Sequence, residues 1–154
     1  MRDVHKPISD MKRVILVAGI VAISLMSMAQ GVVGDWMTVD DKTGDNYSIV
    51  RIYQGADGLY YGKIAKILVG QQDVVCTKCE GEDHNVPMQD LVIIRGMRME
   101  KGELRGGKVL DPNNGKFYYG KIYRKGENLV LRGSLDKAGW FGRNQTWIPA
   151  LVKD

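Results

Sequence analysis

The chain has 154 residues, with 22 basic and 18 acidic side chains and a net charge of +4. This length is sufficient for one domain that buries a single core without metal ions or several disulfides. The basic residues are scattered along the chain rather than clustered, so the composition argues against nucleic-acid binding. Without residues 1–29, which hold four basic and two acidic side chains, the net charge falls to +2.

A secretory signal peptide is predicted over residues 11–29. Two basic residues precede an apolar run over residues 14–25, and small residues at the −3 and −1 positions predict cleavage after Ala29. The alternative is a transmembrane anchor, but a helix needs about 20 apolar residues to cross a bilayer and this run is shorter. Residues 1–10 are then an over-extended start. The remaining chain is expected to be exported, either periplasmic or secreted, with no membrane span.

Residues 30–154 are predicted to form one domain, and almost all of it has the composition of β-strands. Val, Ile, Tyr, Thr and Trp are frequent in eight short segments, which Gly, Asn and Asp clusters separate. The predicted strands are Trp36–Val39, Asn46–Tyr53, Leu59–Leu68, Leu91–Met99, Glu103–Leu110, Lys116–Arg124, Asn128–Leu135 and Asn144–Ala150. The pattern predicts an all-β fold, a single antiparallel up-and-down barrel, because closure removes the exposed edges of such a sheet.

Two connections are longer than the tight turns that join most of the strands. Val69–Asp90 holds both cysteines of the chain, and Asp136–Arg143 holds the aromatic pair Trp140 and Phe141 between two glycines. Loops of this length are more often functional or flexible than hairpin turns are.

Six segments of the chain carry a family resemblance, in the order residues 34–44, 48–53, 76–81, 109–116, 132–133 and 142–147. In this order they resemble an exported bacterial family, the domain of unknown function 2147 (DUF2147). The resemblance extends over essentially the whole predicted domain. The resemblance implies a calycin-like barrel, that is, a barrel of the lipocalin type, and it implies little about activity.

Gly34-x-Trp36 is similar to the opening of a lipocalin, in which an indole closes one end of the barrel under an arginine from a late strand. A guanidinium stacks well on an indole face. Arg132 and Arg143 are the candidates for this arginine. The alternative is that Trp36 is an ordinary core aromatic residue, and in either case it is expected to be structural.

The Cys76-x-x-Cys79 segment allows three interpretations. A structural disulfide that fixes the long loop is favoured in an oxidising compartment. A redox-active pair needs a helix N-terminus or nearby cations to stabilise a thiolate, whereas three acidic residues follow Cys79 directly. A zinc site would use His84 as a third ligand, but structural zinc takes four. We therefore expect a disulfide and no bound metal.

The motif Tyr-Tyr-Gly-Lys-Ile occurs twice, at residues 60–64 and 118–122, each time after a glycine-bearing turn. Side chains alternate along a strand, so the second tyrosine shares a face with the lysine, and the glycine shares the other face with the isoleucine. If the Tyr/Lys face is inside, the rings could hold the chain of an amphipathic ligand and the lysines its acidic head. If it is outside, the small glycines turn inward. The sequence leaves both arrangements open. The candidate ligand-binding residues are Tyr53, Tyr61, Lys63, Tyr119, Lys121 and Tyr123.

No nucleophile motif or glycine-rich phosphate loop is found in the sequence, so no catalytic residue or cofactor is predicted. The favoured function is a non-enzymatic binder of a small apolar or amphipathic molecule. A second hypothesis is an envelope interaction or structural module with a solid core, whose contact surface includes Trp140 and Phe141. A third is an enzyme or redox protein that uses Cys76 and Cys79. Barrels of about eight strands are either solid or hollow, so strand number does not discriminate.

Overall fold

All eight predicted strands are present, and every boundary lies within two residues of its predicted position. The computed structural model describes residues 31–40 and 43–150, so the predicted start and signal peptide lie outside the described residues. The strands are β1 (Gly34–Val39), β2 (Asn46–Gln54), β3 (Tyr60–Ile67), β4 (Val92–Glu100), β5 (Glu103–Asp111), β6 (Lys116–Lys125), β7 (Asn128–Ser134) and β8 (Gly142–Pro149). The described part of the chain also has one 3₁₀ turn, Gly81–Asp83, and it contains no helix long and apolar enough to cross a membrane.

Strand β1 closes the barrel because it pairs with an antiparallel neighbour on each side. Trp36 in β1 is aligned with Val50 of β2 on one side and with Pro149 of β8 on the other. The other strands pair in sequence order, each with the next. Closure leaves none of these eight strands with a free edge for another chain to pair with, and it confirms the predicted up-and-down meander.

Both copies of the repeated motif turn their glycine toward the inside of the barrel. A Cβ atom on Gly62 would lie 2.6 Å from Ile94 Cδ1, and one on Gly120 would lie 2.1 Å from Met97 Cε. Ile94 and Met97 are fully buried, so each glycine makes room for a large side chain from another strand. Of the two arrangements that the sequence leaves open, the one with the glycines inside is therefore observed.

One end of the barrel is closed by Trp36, which is buried. Its indole Nε1 donates a hydrogen bond to the carbonyl oxygen of Val32 at 2.9 Å. The Arg124 guanidinium lies over the indole, 4.9 Å from the ring centroid. The cation and the ring face attract each other, so this pair covers the closed end of the barrel.

The arginine over Trp36 is neither Arg132 nor Arg143, so that prediction is wrong. Arg124 lies at the end of β6, two residues beyond the inward-facing Ile122 and on the same strand face. Arg132 lies on the outer face, where its Nε donates to the carbonyl oxygen of Gly139 at 3.0 Å. Arg143 lies near the start of β8, at the opposite end of the barrel. It is about 20 Å along the strand from Pro149, the residue aligned with Trp36. Position late in the chain does not place an arginine at the correct end of the barrel.

The barrel is filled with side chains from its middle to the closed end. Ile94, Met97, Leu104 and Ile122 are all completely buried there. Protein interiors pack as densely as organic crystals, so this part of the barrel is a conventional core without room for a ligand.

Gly107→Ala is expected to destabilise the barrel, because the added Cβ would lie 2.4 Å from the Arg95 carbonyl oxygen and 2.9 Å from the Met97 backbone nitrogen. Overpacking of this kind costs about 1–3 kcal/mol. Gly133→Ala is the matched control, since its Cβ would lie 3.6 Å from the nearest atom, the Cβ of Tyr118. Unfolding in urea gives the free energy of unfolding of both variants. Equal stability of the two would contradict the packing described here.

Candidate functional site

The other end of the barrel opens into a cavity of about 770 Å³. Residues from three connections line its mouth, namely β3–β4, β5–β6 and β7–β8. The deeper wall is mainly apolar. Its members are Val50, Ile64, Ile67, Ile93, Val109, Leu110, Leu131 and Trp147. The barrel is thus solid at one end and hollow at the other.

Two buried polar residues of the cavity wall, Thr38 and Ser48, bond to each other. Their hydroxyl oxygens lie 2.9 Å apart, and the Ser48 backbone N–H donates to Thr38 Oγ1 at 3.0 Å. Within the described residues, no buried side-chain nitrogen or oxygen lacks a hydrogen-bond partner. The wall therefore needs no hydrogen bonds from a ligand, and it offers the burial of apolar surface.

Charged side chains lie at the rim of the cavity and not in its deeper wall. Lys116 and Arg143 are exposed there and bring positive charge. The carboxylate of Asp111 accepts hydrogen bonds from Asn113 N and Asn114 Nδ2, each at 2.9 Å, and so holds the β5–β6 turn together. A cavity that is apolar in its depth and has charged side chains of both signs at its rim suits an amphipathic molecule.

None of the six predicted ligand-binding residues lines this cavity. Tyr53 and Tyr61 stack with their ring centroids 6.0 Å apart, and the Tyr61 hydroxyl donates to Asp57 Oδ2 at 2.6 Å. Lys63 Nζ pairs with Asp90 Oδ1 at 2.6 Å. These contacts lie on the outer face, because the inner face of β3 carries Gly62 and Ile64.

The second copy of the motif shows the same arrangement. Lys108 Nζ lies over the Tyr119 ring at 3.7 Å from its centroid. Lys121 lies over Tyr123 at 4.9 Å and pairs with Glu103 at 3.1 Å. The hypothesis that these tyrosines and lysines line the interior is therefore wrong, because all six make their contacts on the outer surface.

The first tyrosine of each motif, not the second, faces inward. Tyr118 lines the cavity, and Tyr60 packs partly buried against the core. The glycine–isoleucine pair of the motif is the sequence signal for this arrangement. Isoleucine belongs to the core, and the period of two puts the first tyrosine on the same strand face as the isoleucine.

Cys76 and Cys79 form the predicted disulfide, with their Cα atoms 5.4 Å apart and both residues buried. Because both sulfurs are bonded, neither is available to zinc, and His84 Nδ1 instead lies 2.9 Å from the Cys79 carbonyl oxygen. Within residues 31–40 and 43–150, no three His, Cys, Asp or Glu side chains are grouped to hold a metal ion.

The disulfide-bonded turn packs against the β5–β6 turn at the rim of the cavity. Lys78 Nζ donates to the carbonyl oxygen of Asn113 at 2.9 Å, and Cys76 Sγ lies 3.7 Å from the carbonyl oxygen of Pro112. Gly115 permits this approach, because a Cβ at that position would lie 1.8 Å from the Lys78 carbonyl oxygen. The long β3–β4 connection is thereby held in place beside the cavity mouth.

The β7–β8 loop presents Trp140 and Phe141 to solvent, with 82% and 75% of their surfaces exposed. The Asp136 carboxylate accepts hydrogen bonds from the backbone N–H of Phe141 at 2.9 Å and of Trp140 at 3.1 Å. These bonds, chiefly the one from Phe141, hold the pKa of Asp136 below its ordinary value. Phe141 also lines the cavity mouth.

Comparison with known proteins places the fold and the family. A family model described as an uncharacterized protein conserved in bacteria (DUF2147) matches residues 34–148. Among solved structures, protein HP1028 from the human pathogen Helicobacter pylori, which is described as belonging to the lipocalin family, is similar to this chain. The two are 20% identical, with a TM-score of 0.69 over 79% of this chain and 84% of HP1028, which shows a lipocalin-like fold. No curated protein matches the chain.

Gly115→Ala is expected to detach the disulfide-bonded turn, because its Cβ would collide with the Lys78 backbone. Gly126→Ala is the matched control: the two glycines have positive φ angles of 72° and 62°, but nothing lies within 4 Å of a Cβ at Gly126. Both variants lose about 1 kcal/mol to the strained backbone, and only Gly115→Ala should also speed amide hydrogen exchange over residues 76–86. Equal exchange in the two variants would contradict this packing.

The turn at Trp140 is expected to lose its order in acid. An aspartate with a lowered pKa stabilises the folded form above its ordinary pKa, and that contribution is lost as the pH falls through the lowered value. The amide NMR signals of Trp140 and Phe141 should have the same positions at about pH 5 as at neutral pH. They should move when the pH falls below the ordinary aspartate pKa of about 3.9. Asp136→Asn should abolish this pH dependence. Signals that stay constant until the whole barrel unfolds would contradict the role of Asp136.

Proposed function

Because the chain belongs to the DUF2147 family of bacterial proteins and has a lipocalin-like fold, we propose that it is a non-enzymatic binder of a small apolar or amphipathic molecule. The observation that carries this proposal is the hollow, open end of the barrel. The cavity of about 770 Å³ is of the size of known ligand pockets, which span about 300–1,000 Å³. Its apolar wall favours a ligand with a hydrocarbon or aromatic body.

The orientation of the ligand follows from the distribution of polar groups. Thr38 and Ser48 satisfy each other, so the deep wall gives no reason for a polar group to enter. Lys116 and Arg143 lie at the rim. The apolar part of the ligand therefore lies between Val50 and Leu131 in the depth of the barrel, and its polar or acidic end lies at the mouth.

Export of the protein belongs to the same proposal. The predicted signal peptide over residues 11–29 would direct the chain out of the cytoplasm. The disulfide between Cys76 and Cys79 supports an oxidising compartment, where such bonds persist. The binder would then act in the periplasm or outside the cell, with no membrane span in the mature form.

The alternative functions have less support. A structural module with a solid core would not need the empty volume at the open end, although its contact surface could still include the β7–β8 loop. A thiol enzyme would need accessible sulfurs, whereas Cys76 and Cys79 are buried in a bonded pair against the β5–β6 turn.

Replacing Tyr118 is the sharpest test, because the adjacent Tyr119 provides a control in the same strand. Tyr118 lines the cavity, whereas Tyr119 packs with Lys108 outside it. Fluorescence titration with the apolar fluorophore aminoanthracene, and competition by laurate, measure binding. Tyr118→Ala should weaken binding about tenfold through the loss of one aromatic wall, and Tyr119→Ala should leave it unchanged. Wild-type protein that binds neither compound, or equal losses in both variants, would contradict the proposal.

A further inference from the structure

The side chain of Met97 crosses the inner wall of three neighbouring strands. Its Cγ is 2.5 Å from the position that a Cβ on Gly107 of β5 would take, and its Cε is 2.1 Å from the corresponding position on Gly120 of β6. Gly107 and Gly120 are aligned with each other in the sheet. The methionine starts on β4, so it covers the bare backbone of both neighbouring strands.

The terminal methyl group of Met97 lies next to the cavity. Val109 lines the cavity, and its Cγ2 is 2.6 Å from the same Cβ position on Gly120, so the two side chains lie side by side over that glycine. Gly133, the partner of Gly120 on β7, also lines the cavity, whereas Gly120 does not. Met97 therefore separates Gly120 from the cavity and forms part of the cavity floor.

A bulge in β4 places Met97 on this inner face. Ile94 and Met97 are three residues apart and both are fully buried, although residues three apart in a regular strand face opposite sides. Between them, β4 has one residue more than the paired segment of β3, and Gly96 has a φ of 65°. A bulge with glycine in the left-handed region changes the direction of the side chain that follows it. Without this bulge, Met97 would point away from the barrel interior.

A matching bulge in β5 provides the space for Met97. Between Leu104 and Gly107, β5 has one residue more than the paired segment of β6, and Gly106 has a φ of 75°. Gly107 thereby lies under the methionine side chain, where any Cβ would be too close to it. Bulges that direct one side chain in this way are specific features of a fold. Here two of them position the same methionine.

We infer that Met97 sets the depth of the cavity and thereby the maximum length of the apolar chain that the barrel accepts. This role rests on the proposed function, because it specifies which apolar or amphipathic molecules fit. With the polar end of the ligand at the mouth, the apolar chain extends into the barrel until it meets the Met97 methyl group. A longer chain either leaves methylene groups in water or displaces the methionine from its place over the two glycines.

The distance from the mouth of the cavity to this floor is short. On β6, Lys116 at the mouth precedes Gly120 by four positions, which corresponds to about 13 Å of strand. Beyond Met97 the barrel is filled by completely buried side chains, among them Leu104 and Ile122. The apolar chain of a ligand therefore ends at this layer unless a side chain of the floor is removed.

Competition of saturated fatty acids with aminoanthracene tests this inference. The series is caprate, laurate, myristate, palmitate and stearate, in which each acid is two carbons longer than the one before. In the wild type, affinity should rise about tenfold with each step until the chain reaches Met97, and then stop rising. In Met97→Ala, which uncovers Gly107 and Gly120, the rise should continue for one further acid. Successive acids are compared within each variant, so a general change in affinity cancels.

Leu104→Ala is the matched control, because it truncates another fully buried side chain of similar size and weakens folding by a similar amount. The space that it leaves lies beyond Met97, so its affinities should stop rising at the same acid as in the wild type. Met97→Val is a milder second variant, which removes Cε from Gly120 and keeps a Cγ near Gly107. It should shift the limit in the same direction, and it replaces Met97→Ala if circular dichroism shows that variant to be unfolded.

The outcomes separate this inference from the proposed function. Wild-type protein that binds neither aminoanthracene nor any of the fatty acids overturns both. If the wild type binds them, but its affinity keeps rising to stearate or reaches its limit at the same acid in the Met97 variants, the inference is overturned and the proposed function stands. A shift in Leu104→Ala as large as that in Met97→Ala would also overturn the inference, because any truncation of the core would then deepen the cavity.

Discussion

The pairing of β1 with both β2 and β8 is the constraint on which the rest of the structure depends. Closure gives every strand one inner and one outer face, and the size of the inner side chains then decides where the barrel is solid. Gly62 and Gly120 admit Ile94 and Met97 into the middle, and Trp36 under Arg124 closes one end. At the other end, the described residues form apolar walls around an open cavity.

The strands and the disulfide could be predicted from the sequence because their signals are local. Turn glycines and β-branched segments set the boundaries to within two residues, and the acidic residues after Cys79 argue for a bonded pair. It was harder to predict which face of the repeated motif lies inside the barrel, because each face carries one tyrosine. Only packing against other strands decides between the two faces. Which arginine lies over Trp36 depends on which strand end lies at the closed end of the barrel. The register of the strands determines this, and composition does not.

The open end is built from loops that are fixed rather than free. The disulfide-bonded turn rests on the β5–β6 turn through Lys78 and Gly115, and Asp136 holds the aromatic loop from within. A mouth with preformed walls loses less conformational entropy when a ligand binds. The hydrogen bonds to Asp136 also keep Trp140 and Phe141 outside the core. The cavity lies at the end of the barrel opposite the one that Trp36 closes.

Native mass spectrometry of the protein purified from its bacterial host tests the central claim, that the hollow end of the barrel holds a small molecule, most directly. The account predicts a complex whose extra mass is released on denaturation and belongs to an apolar or amphipathic compound. A protein that shows only its bare mass, and that takes up neither laurate nor aminoanthracene when these are added, would contradict it.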